Sequence, residues 1–268
     1  MNRGAGGDRR VRLPHGLTLR TLIPNAVTAS ALGFGLTGIR FAITGQFEQA
    51  VQAVILAGFL DGIDGSIARM LKGQSRFGAE LDSLADNVSF GVAPALILFL
   101  WSLKDLPRLG WFASLAFAIC CALRLARFNA RIDAEDQPHK SAGFLTGVPA
   151  PVGAGLAMLP IYLWIVTGLP MLREPLFIGA WLAVIAFLMI SSLPTLGWGL
   201  LRPRRSIRIE VLAVLCLAGA AMLTEPWLSL IGICALYIVL LPYGLWSYGK
   251  VKQRRAELLS DAPGLPAA

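Results

Sequence analysis

Charged side chains are scarce in this sequence. Of 268 residues only 15% are Asp, Glu, Lys or Arg, against about 25% in an ordinary soluble domain. So little charge excludes a disordered chain and most water-soluble folds. Histidine occurs twice, at His15 and His139, in segments too far apart to propose as a ligand pair, which argues against a histidine metal site. The four cysteines, Cys120, Cys121, Cys216 and Cys234, have no C-x-x-C spacing and sit in apolar runs, where they read as small buried hydrophobes. Also missing are the ~10-residue segments of alternating polarity that would build a membrane β-barrel.

What is abundant is apolar: 56% of the residues are hydrophobic. At about 20 residues per membrane-spanning helix, that leaves room for some six to eight spans and little else. Apolar runs bounded by polar or Pro/Gly-rich breaks occupy 23–44, 48–71, 79–102, 109–130, 149–168, 175–193, 209–224 and 227–247. The expected fold is therefore all-α, a polytopic membrane helix bundle of about eight transmembrane helices. Pro24, Pro149 and Pro226 are expected to mark helix starts, and Pro94 and Pro160 to kink the spans that contain them.

Basic residues set the expected orientation. With the N-terminus cytoplasmic and eight spans, all of the 24 lysines and arginines except Arg40, Lys104, Arg108 and Arg173 fall on the cytoplasmic side. The net charge of +8 then reads as membrane topology, not nucleic-acid affinity. The basic segment 1–22 has no apolar stretch long enough for a signal peptide; residues 8–22 either lie along anionic headgroups or form a disordered tail. Residues 249–268 form a basic, then flexible C-terminal tail.

Against this background the segment from Phe59 to Pro94, FLDGIDGSIARMLKGQSRFGAELDSLADNVSFGVAP, stands out because it holds five of the chain's 16 acids. An ionised carboxylate near hydrocarbon costs roughly 3 kcal/mol unless it is paired. Asp61 and Asp64 are three residues apart and Asp82 and Asp86 four, so each pair shares a helix face. A short loop near 72–77 would hold the second and third spans antiparallel and bring both pairs to one depth. Four carboxylates without Cys or His suit one or two hard cations, Mg²⁺ or Mn²⁺. Gly62, Gly65, Ser66, Ala68, Gly78, Ala79 and Ala85 leave room around them for a diphosphate, and Arg69 is placed to bind a phosphate oxygen. Two other readings fit acids in a membrane. One is a buried ion network with Arg69, Lys72, Arg76, Arg124 and Arg127. The other is a cation-coupled transport path, which expects acids spread along the membrane rather than gathered at one end.

The pattern D61-G-x-D64-G65-x-x-A68-R69-x8-G78-x3-D82-x3-D86 resembles the signature of the CDP-alcohol phosphatidyltransferases. Nine defined positions at fixed spacing make a specific match. The resemblance implies a six-helix catalytic core, here 23–193, with two additional helices in 194–248, and a homodimer in a membrane. It implies transfer of a phosphatidyl or related group from a CDP-linked donor to an alcohol, with release of CMP. Asp61, Asp64, Asp82 and Asp86 match metal-binding acids, and Asp86 also the general base. Gly65, Arg69 and Ser75 match positions near the donor's diphosphate or nucleotide, and the motif's Ala68 and Gly78 belong to the same donor set. Asn25 and Thr28 match a polar element of the first helix that helps hold CDP; by itself, Asn25 after Pro24 reads as a helix cap.

The segments LRLARFN (123–129) and KSAGFLTGVPAPVGAG (140–155) look like those of integral-membrane phosphatidylserine synthases, a branch of that family. That likeness implies CDP-diacylglycerol and L-serine as substrates and an active site at the cytoplasmic face of a bacterial inner membrane. Serine offers a carboxylate, an ammonium and a hydroxyl, for which Arg124, Arg127, Asn129, Lys140 and Ser141 are candidate partners. The same arginines would suit glycerol 3-phosphate or inositol phosphate, choline is a further acceptor within the family, and snorkelling to the interface is the purely structural reading of Arg124 and Arg127.

Overall fold

The computed structural model describes residues 19–71, 73, 75–132, 144–191, 194–196 and 208–242. Its elements in chain order are α1 (Leu19–Ile43), α2 (Phe47–Met70), α3 (Arg76–Asp86), a π-helical segment (Asn87–Val92), α4 (Ala93–Trp101), α5 (Pro107–Ile132), β1 (Phe144–Thr146), α6 (Ala150–Ala157), α7 (Leu159–Thr167), α8 (Pro175–Ile190), β2 (Pro194–Leu196) and α9 (Arg208–Thr224). A last helix, α10, spans Pro226–Pro242. Each of the eight apolar runs is largely helical over its described residues. Among the described residues, five stretches are long and apolar enough to cross a membrane: Arg20–Ile43, Phe47–Met70, Arg76–Trp101, Pro107–Ala130 and Ala150–Thr167. Pro175–Ile190 and Pro226–Pro242 are shorter apolar helices. The chain is an all-helical integral membrane protein.

One small feature departs from a wholly helical chain. β1 and β2 pair antiparallel, Leu145 opposite Thr195, and tie the segment after α5 to the segment after α8.

α1 and α2 form the tightest hairpin. Gly45 takes a left-handed conformation (φ 77°), its N–H donates to Ala42 O at 3.0 Å, and Gln46 N–H donates to Phe41 O at 2.9 Å. This is a Schellman stop, which reverses the chain within three residues. The helices then approach so closely at Gly38 that a Cβ there would stand 3.0 Å from Ala50 O.

Proline behaves differently at each site. Pro24 is interior to α1, which begins five residues earlier at Leu19, so it does not mark the helix start. Its missing N–H frees the Arg20 carbonyl, and the backbone at Gly73 packs against that oxygen. Pro94 lies in the first turn of α4, directly after the π segment, where the widened backbone relieves the clash a proline ring would cause. Pro160 follows a break at Met158, and the indole N–H of Trp181 donates to the nearby Leu156 O at 2.9 Å.

The core lies among α4, α5, α6, α7 and α8, with Trp101, Tyr162, Phe90 and Phe117 its largest fully buried side chains. α10 packs on this core through Cys234, Leu230, Ile231 and Leu241, and Trp227 sits 6.3 Å from Tyr162. α9 exposes its described side chains almost throughout. Among the described side chains, α10 thus joins this hydrophobic core and α9 does not.

Candidate active site

The acids meet where α2 runs into α3. Ser75 caps α3: its Oγ accepts from Gly78 N–H at 3.0 Å, which satisfies one of the donors left open in the first helical turn. This fixes where α3 begins and so which face carries Asp82. The Asp61, Asp64 and Asp82 carboxylate oxygens then lie within 4.8 Å of one another. Asp64, only 4% exposed, accepts a 2.6 Å hydrogen bond from Thr28 Oγ1, which locks it against α1.

Asp86 stands outside this triad. One turn farther along α3, its carboxyl lies against that of Asp61 and within electrostatic reach of Asp64 and Asp82. The sequence pattern groups all four as equivalent ligands; the geometry makes three of them a cluster and sets the fourth beside it.

Three carboxylates this close repel one another and offer only oxygen donors, a set that fits a hard divalent cation. The nearby arginines are engaged elsewhere. Arg69 Nη2 donates to Ser66 Oγ at 3.3 Å, while Arg127 donates to Ile190 O (2.8 Å) and Ser191 O (3.1 Å).

Beside the triad opens a cavity of about 340 Å³, within the usual range for a small-molecule site. Asn25, Thr28, Gly65, Ala68, Arg69, Ser75 and Gly78 all line it, together with Asp64 and Asp82. These are the seven positions expected from sequence to surround the donor. Asn25 lies well inside α1, so the capping reading does not hold. Its Oδ1 would be 2.9 Å from a Cβ at position 78, so only glycine there lets α3 approach α1 this closely. Ala79, one of the small residues expected to leave room there, completes the wall with Pro24 and Gly73, which were not among the expected residues. Their backbones come close only once the α2–α3 connection is folded.

The expected acceptor residues are more dispersed. Arg124 on α5 lies within electrostatic reach of Asp86, and Asn129 Nδ2 donates to Ser83 Oγ at 2.8 Å, one residue after Asp82. The Arg127 guanidinium caps the C-terminal end of α8, where carbonyls left without helical partners attract a cation. Lys140 and Ser141, like residues 1–18 and 249–268, lie outside the described residues.

Comparison with known proteins matches this site to a group. A family model described as CDP-alcohol phosphatidyltransferase matches residues 21–191, and a second, CDP-alcohol phosphatidyltransferase 2, matches residues 207–242. The chain is 36% identical over 242 residues to the CDP-diacylglycerol--serine O-phosphatidyltransferase of Mycobacterium tuberculosis strain H37Rv, covering 90% of this chain and 84% of that one. It is 41% identical over 142 residues to the Helicobacter pylori J99 protein of the same name, 53% of this chain and 58% of the relative. The like-named Bacillus subtilis protein is 39% identical over 107 residues, 40% of this chain and 60% of the relative.

Proposed function

This chain belongs to the CDP-alcohol phosphatidyltransferase family, and on that premise we propose that it transfers the phosphatidyl group of CDP-diacylglycerol to the hydroxyl of L-serine, giving phosphatidylserine and CMP. The observation that carries this reading is the carboxylate triad opening directly onto the cavity lined by Asn25, Thr28, Arg69 and Ser75. The serine acceptor is supported by the names of the relatives.

Asp61, Asp64 and Asp82 are the residues to hold a divalent ion, Mg²⁺ or Mn²⁺ by donor chemistry. Such an ion supplies charge neutralisation to the diphosphate as CMP leaves. The chain's own groups do the rest. Arg69 adds positive charge at the mouth of the cavity, and the glycine and alanine wall admits the CDP head to the backbone. The buried Thr28–Asp64 bond holds the ligand set still. Asp86 accepts the serine hydroxyl proton as that oxygen bonds to the lipid-side phosphorus and the bond from phosphorus to the CMP oxygen breaks. No side chain is needed as a covalent nucleophile, so a single direct displacement suffices.

The same reading extends to the membrane. Eight spans put both termini and the acid cluster at the cytoplasmic face of a bacterial inner membrane, in a homodimer whose core is 23–193 with 194–248 appended. One assay tests the reaction: purified protein with labelled CDP-diacylglycerol, offered serine, glycerol 3-phosphate, inositol phosphate and choline in parallel. CMP release that depends on serine, and stops on chelation, is expected. Release with another acceptor instead of serine overturns it.

A further inference from the structure

Just past Asp86 two buried polar atoms of opposite character lie without partners. The Asn87 Oδ1, at the first position of the π segment, accepts no hydrogen bond, and on the facing helix α5 the Arg124 Nε donates none. Buried polar groups are almost always paired, so each such exception calls for an occupant. The two belong to one patch. Asn87 Oδ1 and Cys121 Sγ each lie 3.1 Å from the point where a Cβ on Gly91 would stand, which closes the helices around position 91 to any side chain. Arg124 is one turn beyond Cys121 on α5 and within electrostatic reach of both Cys121 and Asp86. Asn87 opens the π turn, whose extra residue rotates the residues that follow it relative to a regular helix.

A lone acceptor and a lone cationic donor beside the group assigned as base suit a ligand carrying an N–H cation and an anion close together. An α-amino acid has both. Choline has no N–H to donate, and glycerol 3-phosphate and inositol phosphate have no cation to offer Asn87. We propose that Asn87 is an acceptor-binding residue, its Oδ1 receiving a hydrogen bond from the serine ammonium while Arg124 holds the serine carboxylate, so that the hydroxyl faces Asp86. This rests on the serine reading above and adds to it a residue that selects amino acid over other alcohols.

The test is steady-state kinetics of the full-length protein in mixed micelles containing CDP-diacylglycerol. Asn87→Ala is expected to raise the serine KM about 10- to 100-fold while the CDP-diacylglycerol KM stays within about twofold, as when a site built to bond a polar group loses its partner. The second readout is competition by 3-hydroxypropanoate, which is serine without its ammonium. Asn87→Asp retains an acceptor oxygen and adds negative charge, so serine is still used and its advantage over 3-hydroxypropanoate widens; in Asn87→Ala that advantage collapses. An unchanged serine KM in Asn87→Ala overturns the proposal, as does unwidened discrimination in Asn87→Asp, which decides the matter alone if the alanine variant does not fold. Serine-dependent CMP release by the unaltered protein stands or falls separately, and its absence sinks the serine reading instead.

Discussion

The two ends of the bundle handle charge in opposite ways. At the closed end Arg173 sits 5.9 Å from the ring centroids of both Trp101 and Trp164, its Nε donates to Trp101 O at 2.8 Å, and its own carbonyl accepts from Ser102 Oγ at 2.7 Å. The protein answers that cation through its Nε and through both rings. At the open end Asp61, Asp64 and Asp82 crowd together and Thr28 answers only one of them. The contrast runs along a single helix. The first half of α2 buries Ala50, Val51, Ala53, Val54 and Ala57, whereas beyond Asp61 only Asp64 is buried and the helix borders a cavity. Charge in an apolar chain is structural where neighbours complete it and available for chemistry where they leave it incomplete.

On that contrast, neutralising the open end removes activity without unfolding the protein. Asp61→Asn, Asp64→Asn or Asp82→Asn should each lower turnover by about 10³-fold or more, read as CMP release, with the size-exclusion profile unchanged. Chelation of the unaltered protein should match that loss, and full activity after exhaustive chelation would break the comparison. Asp86→Asn should cost about 10²- to 10⁴-fold in turnover while donor binding is largely spared, because a proton acceptor is lost but the triad is intact. A smaller effect is expected at the helix contact behind the cavity. Gly78→Ala places a methyl 2.9 Å from Asn25 Oδ1 and 3.1 Å from Ser75 Oγ, so the wall must shift, and a donor KM raised about 10-fold with little change in thermal midpoint is the expected result. Thr28→Val removes the 2.6 Å bond to Asp64 and should weaken metal activation by about 5- to 10-fold, the net worth of one typical hydrogen bond.

The open end was the more legible of the two in sequence. Spacings of three and four residues say which side chains share a helix face, and the pairs 61/64 and 82/86 needed only a short connection to meet. Gly65, Ala68, Arg69 and Gly78 stood out beside the acids as small residues and a cation, whereas Asn25, Thr28 and Ser75 were named only through the resemblance to the family. What escaped was set by contacts distant in the chain. Arg127 looked like an acceptor ligand, yet its partners are carbonyls 63 and 64 residues later. The packing of the residues after Asp86 against α5 depends on a helix widening over Asn87–Val92 that no periodicity announces. An amide directly after Asp86 in an apolar span is itself a signal of function, but a fainter one than the four carboxylates beside it. α10 reads as a generic membrane helix because the residues that dock it, Trp227 and Cys234, are ordinary in any apolar span.

The closed end makes the reverse prediction, with the smallest effect on chemistry. Arg173→Ala deletes a hydrogen bond to a buried tryptophan's carbonyl and two cation–ring contacts, a loss of about 2 kcal/mol in stability. Trp101 is fully buried, so its carbonyl would lose its side-chain donor while its ring lost the cation beside it. None of these groups lines the cavity or touches an acid. The variant should therefore melt several degrees lower in detergent while keeping kcat and both KM values within about twofold. Arg173→Lys separates the contributions. It retains the charge near Trp101 and Trp164 but not the planar Nε geometry, so it should recover part of the midpoint and none of the 2.8 Å bond. A kinetic defect in Arg173→Ala with an unchanged melt would mean that the two ends are coupled, and that an answered charge can still serve the reaction.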